Sequence, residues 1–341
     1  MISLSTELIR LEHGGGGKLM RLLIENVVIP SFSIKKVEGG TGLLEEDDGA
    51  VIPIGDGYLV LTTDAHTVKP LFFPGGDIGK LAVSGTINDL AAMGAKPIAM
   101  TSAIIMEEGF PFSQLKRILD SMNNTLMEVG IPLVAGDTKV VEKGGIDKIL
   151  IATAGIGYTK MPIFDSGLKP GDLIIITGPV GRHEIALLSQ REGLKFETQL
   201  ESDVAPLWSM VELALKAGKI TSMKDPTRGG VAGTLNEMAR KSNVNINVWE
   251  DKVPVDEEIK GIAEMLGIDI FETTNEGIMI MGVVKEDAEK VLKAVRSTKY
   301  GRKANIIGEV EKGEGMVILE TITGGKRIIE EPIGSPLPRI C

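Results

Sequence analysis

The chain has 341 residues, enough for two ordinary domains, and its 43% hydrophobic and 25% charged residues make a globular balance. Its 37 Lys and Arg against 47 Asp and Glu leave a net charge of −10, which repels nucleic acid phosphate. No apolar run reaches the length of about 18 residues that a membrane span needs, and the single cysteine excludes an internal disulfide and a Cys/His zinc cluster, so a reducing cytoplasm is the expected compartment.

Met1 to Arg10 carries acidic Glu7 and lacks the basic start and apolar core of a secretory signal. Gly14, Gly15, Gly16 and Gly17 then precede Lys18. A P-loop would need Gly where Glu12 stands and Ser or Thr where Leu19 stands. A loop whose amides wrap phosphate and a loose surface loop both stay open. Ala50 to Ile54 and Tyr58 to Thr63 flank Gly55-Asp56-Gly57, which reads as a hairpin. Residues 77–93 have helical period and are apolar on most sides, so that helix is expected to be buried. Ser113 opens an amphipathic helix through Leu115, Ile118, Leu119, Met122, Leu126 and Val129, closed by Gly130 and Pro132. Short strands are predicted at 133–135 and 149–155.

Pro162, Gly167, Pro170 and Gly171 mark a compositional shift, which sets domains at 1–160 and 170–329. The second half restarts with a strand at 173–177, the turn Gly178-Pro179-Val180-Gly181 and a helix. Helices follow at 205–217, 230–241, 256–266 and 286–297, and strands at 244–249, 277–284, 304–310 and 316–321. Strands alternating with helices in both halves predict an α/β (α+β sandwich) fold. Pro332, Pro336 and Pro338 make 330–341 an extended, mobile tail.

Carboxylates at strand and loop ends carry the chemical signal: Asp47 and Asp48 before the first hairpin, Asp64 at its end, Asp137 after a strand, and Asp225 opening Asp225-Pro226-Thr227-Arg228-Gly229-Gly230. Such oxygens suit Mg²⁺ on a nucleotide phosphate, although a lone Asp in a turn is more often a cap. Asn88-Asp89 differs, because an unpaired charge inside an apolar helix costs several kcal/mol and calls for a metal or strong partner. Arg228, Gly229 and Gly230 lead into a helix, an arrangement suited to phosphate or to an ordinary helix start. Asn275 and Glu276 precede a very apolar strand, which makes Glu276 a candidate base. The sole cysteine, Cys341, is the last residue, on a proline-stiffened arm beside Arg339, where a thiol can be presented to a partner.

Together these stretches resemble the aminoimidazole-ribotide-synthetase-like (PurM-like) superfamily of ATP-dependent enzymes. The resemblance runs through Gly85-Thr86-Ile87-Asn88-Asp89-Leu90-Ala91-Ala92-Met93-Gly94, Gly136-Asp137-Thr138-Lys139-Val140-Val141 and Asn275-Glu276-Gly277. The ending Pro338-Arg339-Ile340-Cys341 resembles the HypE family of hydrogenase maturation proteins within it. The resemblance implies two α/β domains per subunit, with N-terminal domains pairing into a homodimer around a shared β-barrel and ATP near that interface. It implies Asp48, Asp64, Asp89, Asp137 and Asp225, with Asp47 beside them, as Mg²⁺-ATP ligands, and Asn88, Thr138, Lys139, Arg228 and the Gly loop as nucleotide contacts. It further implies ATP-dependent dehydration of a carbamoyl group on Cys341 to a thiocyanate. A HypF-type carbamoyltransferase would supply that group, and a HypC–HypD-type scaffold would receive the cyanide. Two rivals remain: a sister kinase or synthetase acting on a diffusible substrate, and a non-catalytic protein that docks through its tail.

Overall fold

The computed structural model describes residues 8–191 and 200–334. The chain opens with a short helix, α1 (Lys18–Leu23), which follows the glycine run and had no sequence signal of its own. β1 (Ala50–Ile54) and β2 (Gly57–His66) form the expected hairpin, with Ala50 opposite Leu61 and Ile54 opposite Gly57. A small ribbon, β3 (Phe72–Phe73) and β4 (Gly76–Asp77), leads into α2 (Ile78–Ala92). Asp77 starts that helix by accepting the amides of Gly79 and Lys80 at 2.8 and 3.1 Å. The rest of the first half is β5 (Lys96–Glu107), α3 (Phe112–Val129), β6 (Leu133–Val141) and β7 (Ile149–Thr159). Pro111, not Ser113, holds the position before α3, and Gly130 closes it in the left-handed region at φ +81°.

The second half runs β8 (Leu173–Ile176), α4 (Arg182–Ser189), α5 (Trp208–Ala217), β9 (Ile220–Lys224), α6 (Gly230–Ser242), β10 (Val244–Trp249), α7 (Glu257–Leu266), β11 (Ile280–Val283), α8 (Ala288–Arg296), β12 (Asn305–Lys312), β13 (Val317–Glu320) and β14 (Lys326–Ile328). The strands make two main sheets. One has order β1-β2-β7-β5-β6, the other β14-β13-β10-β12-β8-β11-β9. The mixed α/β expectation is met.

The two sheets meet through α2. It is apolar on most sides because it is covered on most sides, with Leu81, Ile87 and Leu90 fully buried among the first sheet, α3 and α5. Helices therefore cover one face of the first sheet. The opposite face carries Leu61, Ile105, Leu150, Ala152, Ala154 and Ile156, and none of these is buried. β5 had no strand signal of its own in the sequence. It is central, pairing antiparallel with β7 and parallel with β6, and from Met100 onward its burial alternates although its residues do not alternate in polarity. That ladder carries β6 six residues past the predicted 133–135, because pairing continues to Glu107 opposite Val141.

Candidate functional site

A cleft of about 850 Å³ opens between the two halves, and Gly16, Asp48, Asp64, Asp89, Asp225 and Glu276 are among the residues that line it. Three elements bring its acids together. Asp48 stands just before β1, Asp89 near the end of α2 and Asp225 just beyond β9; each offers an oxygen within 4.8 Å of the other two. Asp89, the helix acid singled out in the sequence, is half-buried and accepts the Thr62 hydroxyl at 2.7 Å. Burial, and then the charges of Asp225, Asp64 and Asp48, push its carboxyl well above the usual range. Burial and then Asp48 push Asp225 up to about 8, against the pull of Lys224. Carboxyls held neutral by one another become good ligands once a divalent cation enters, and three convergent oxygens fit Mg²⁺.

Asp64 behaves differently. Burial would push it up, but His66, with Nε2 3.0 Å from its Oδ2, and then Arg228 hold it down at about 2. Glu276 is buried at the same cleft. Burial and then Asp225, Asp64 and Asp203 push it well above the usual range, with Arg228 opposing. Its backbone is fixed on both sides. Asp203 accepts the Glu276 and Gly277 amides at 3.3 and 3.1 Å, and the Glu276 carbonyl accepts Asn88 Nδ2 at 3.3 Å.

Several expected site residues have other work. Asn88 also donates to the Ala205 carbonyl at 3.1 Å and accepts the Leu207 amide at 2.8 Å. Asn275 donates to the Pro226 and Thr273 carbonyls at 3.1 and 2.8 Å and accepts the Gly181 amide at 2.8 Å. Both donors of each amide are thus taken up by backbone; Asn88 holds the Glu276 carbonyl, and Asn275 ties its own segment to Pro226 and Gly181. Gly16 and Gly17 line the cleft with Arg228. The amide of Lys18, expected among the phosphate contacts, donates to the Pro332 carbonyl at 2.8 Å, and that of Leu19 to the Ile333 carbonyl at 3.0 Å. Gly14 and Gly15 are not among the residues lining the cleft. Gly229 and Gly230 start α6 with positive φ, and a Cβ on Gly230 would lie 2.6 Å from the Phe271 carbonyl oxygen. Close packing, not phosphate alone, requires that glycine.

Asp47 lines the cleft but is not one of the three converging acids. Its Oδ1 accepts the Asp165 amide at 3.0 Å, and burial followed by the Asp165 charge pushes it up to about 8. Asp137, Thr138 and Lys139 do not line the cleft. Register explains why. Asp64 pairs with Thr153, Thr153 with Ser102 and Ser102 with Gly136, so β6 lies three strands away, roughly 14 Å. Asp137 and Lys139 sit opposite Ala103 and Ile105, on the open face, whereas Asp64 shares the α2 face with Thr62. Within one chain they cannot converge. Cys341 lies outside the described residues.

Sequence reading missed a buried ionic strap next to the three acids. Lys224 reaches Asp48, and its Nζ lies 3.5 Å from Asp165 and 3.7 Å from Glu237. Lys241 contacts Asp165 at 2.7 Å, Glu237 at 2.8 Å and the Glu46 carbonyl at 2.6 Å. Only the Glu237–Lys241 spacing on a predicted helix hinted at it.

The AIR synthase related protein family matches this chain with its N-terminal domain over residues 46–159 and its C-terminal domain over residues 169–319. A hydrogenase expression/formation protein of Methanocaldococcus jannaschii is 50% identical, over 96% of this chain and 98% of its own length. A protein named carbamoyl dehydratase HypE from Rhizobium leguminosarum bv. viciae is 41% identical, over 98% of this chain and 95% of its own. Among solved structures, a HypE–HypF complex aligns with TM-score 0.85 and 45% identity, covering 91% of this chain and 99% of the other. A HypE structure in complex with ATP aligns with TM-score 0.81 and 38% identity, covering 98% and 100%. Full-length similarity at this level, on a cleft of converging acids between two α/β halves, means that the chain belongs to the HypE family of AIR-synthase-related proteins.

Proposed function

We propose that this chain uses ATP to dehydrate an S-carbamoyl group on Cys341 to a thiocyanate, the source of a cyanide ligand for hydrogenase iron. The observation that carries this reading is the juxtaposition of the Asp48, Asp89 and Asp225 oxygens with Glu276 in one cleft. The carbamoyl oxygen is a poor leaving group. Its attack on the γ-phosphorus forms an O–P bond, breaks the bond to the ADP oxygen and leaves the carbon bearing phosphate. The nitrogen loses its two protons in turn, the C–O bond breaks, phosphate departs and C≡N forms. Mg²⁺ held by the three aspartates, with Asp64 beside them, would neutralise phosphate charge. Glu276 takes the nitrogen proton; burial makes it a stronger base than an ordinary carboxylate. Arg228, whose charge is felt at both Asp64 and Glu276, offsets negative charge as phosphate leaves.

A HypF-type carbamoyltransferase would load Cys341, and a HypC–HypD-type scaffold would accept the cyanide. The reaction belongs in the cytoplasm, where a lone thiol stays reduced. A homodimer fits the uncovered apolar face of the first sheet. Pairing there would also give Asp137 and Lys139 a site to serve, on the partner subunit.

The test is intact mass of the protein carbamoylated on Cys341, before and after Mg²⁺-ATP. Loss of one water from the C-terminal peptide, absent in Cys341→Ala and slowed on the order of 10³-fold in Glu276→Gln, is expected. An unchanged mass with ATP bound overturns the reading, and ATP turnover that survives Cys341→Ala would favour a sister kinase.

A further inference from the structure

We propose that residues 329–334 form a fixed pivot for the reactive tail, and that Arg21 is the positioning residue that sets it. The proposal rests on the thiocyanate reading for its purpose, and on the following geometry for its existence. Ile329 is buried in the core of the second half, its amide donating to Val317 and its carbonyl accepting Asn236 Nδ2, both at 2.9 Å. Glu331 then accepts a two-pronged contact from Arg21, Nε at 3.0 Å and Nη2 at 2.8 Å. The next two carbonyls, of Pro332 and Ile333, accept the first amides of α1. Those amides have no partner inside a helix, so the tail supplies the cap. Gly17 makes this approach possible: its φ is +74°, and a Cβ there would lie 2.1 Å from the Pro332 oxygen.

The pivot sits at the mouth of the site. Arg21 and Glu331 both line the cleft that holds the three acids. Past Gly334, seven residues lead to Cys341 (341 − 334), a reach of roughly 24 Å at full extension. Without the grip of Arg21 on Glu331, the tail is released back to Ile329 and its free length becomes twelve residues (341 − 329). Effective concentration falls as about the −3/2 power of length, roughly twofold, and loss of direction at the anchor adds to that. The Arg21–Glu331 pair thus fixes where the sweep of Cys341 begins.

Arg21→Met and Glu331→Gln should each slow single-turnover dehydration of the protein's own carbamoylated Cys341 by about three- to tenfold. Dehydration of a carbamoylated tail peptide added in trans to Cys341→Ala protein should be unaffected by either change. The swap Arg21→Glu with Glu331→Arg should recover most of the loss. Equal slowing in cis and in trans would mean that Arg21 acts on the reacting groups and not on the tail, and would overturn the pivot, as would no slowing at all. A nitroxide at Ile333→Cys, in a Cys341→Ser background, reads the pivot without chemistry: immobilised in the parent, mobile with Arg21→Met. An unchanged spectrum overturns the pivot even if the parent performs no dehydration, a result that would by itself sink only the functional reading.

Discussion

Two groups of buried acids lie side by side and share Asp48, yet they solve the same problem in opposite ways. Asp165 and Glu237 sit with Lys224 and Lys241, so the fold supplies their counter-charge. Burial would lower the Lys224 ammonium, but Asp48, Glu237 and Asp165 raise it well above its usual value. Asp89 and Asp225 have their carboxyls driven up by burial and by their acidic neighbours. One group has its counter-charge as folded. The other is a deficit that a divalent cation fills, and such a deficit costs stability until it is filled.

The sharpest way to break this contrast is Asp89→Asn. Removing a ligand should slow ATP-dependent turnover on the order of 10³-fold, about 4 kcal/mol, while removing a repelling charge should raise the melting temperature of metal-free protein. A fall in both, in single-turnover and thermal scans, would make the three acids structural. Lys224→Met should do the reverse. It leaves Asp165 and Glu237 short of a cation inside the protein and should destabilise by about 3 kcal/mol in urea unfolding. Excess Mg²⁺ should not restore that loss; full restoration would mean that strap and metal site are one.

A further effect is in pH. Asp225 has a folded pKa of about 8 against an ordinary 3.8, so between those values the folded state binds the extra proton. Stability of metal-free protein should therefore fall as pH rises from about 4 to about 8, not increase. Saturating Mg²⁺, or Asp225→Asn, should flatten that slope in melts across the same range. A slope that persists under both would assign it to carboxyls outside the three acids, such as Asp47, raised to about 8, and Asp203, raised to about 6, each chiefly by burial.

The sequence exposed what is local. The first hairpin, the strand at Val244–Trp249 and the helix ended by Gly130 lie close to where pattern and turn residues put them. Asp89 was legible because an acid within an apolar helix needs a reason, and the structure provides one. What stayed hidden depends on distant pairing. Lys224 and Asp48 are 176 positions apart, and each looks like an ordinary charged residue in its own segment. Asp137 and Lys139 carry a conspicuous motif, but which face of the sheet they occupy is decided by the register of β6 on β5, which no local pattern states. Asn88 and Asn275 stood in the right neighbourhoods. Only their hydrogen bonds reveal that Asn88 holds the Glu276 carbonyl and that Asn275 is tied to the Pro226 carbonyl.

The docking of Glu331 onto Arg21 spans 310 positions of chain. On the ribosome, α1 emerges well before residues 332 and 333 and must wait for their carbonyls before its leading amides are capped. Until then that end of the cleft is unfinished. A nascent chain can complete its two sheets in order, but it cannot close this corner before residue 333 is made. Closure of the corner is in that sense a signal that synthesis has passed this point, so a chain cut short before position 331 would carry the acids without the clasp beside them.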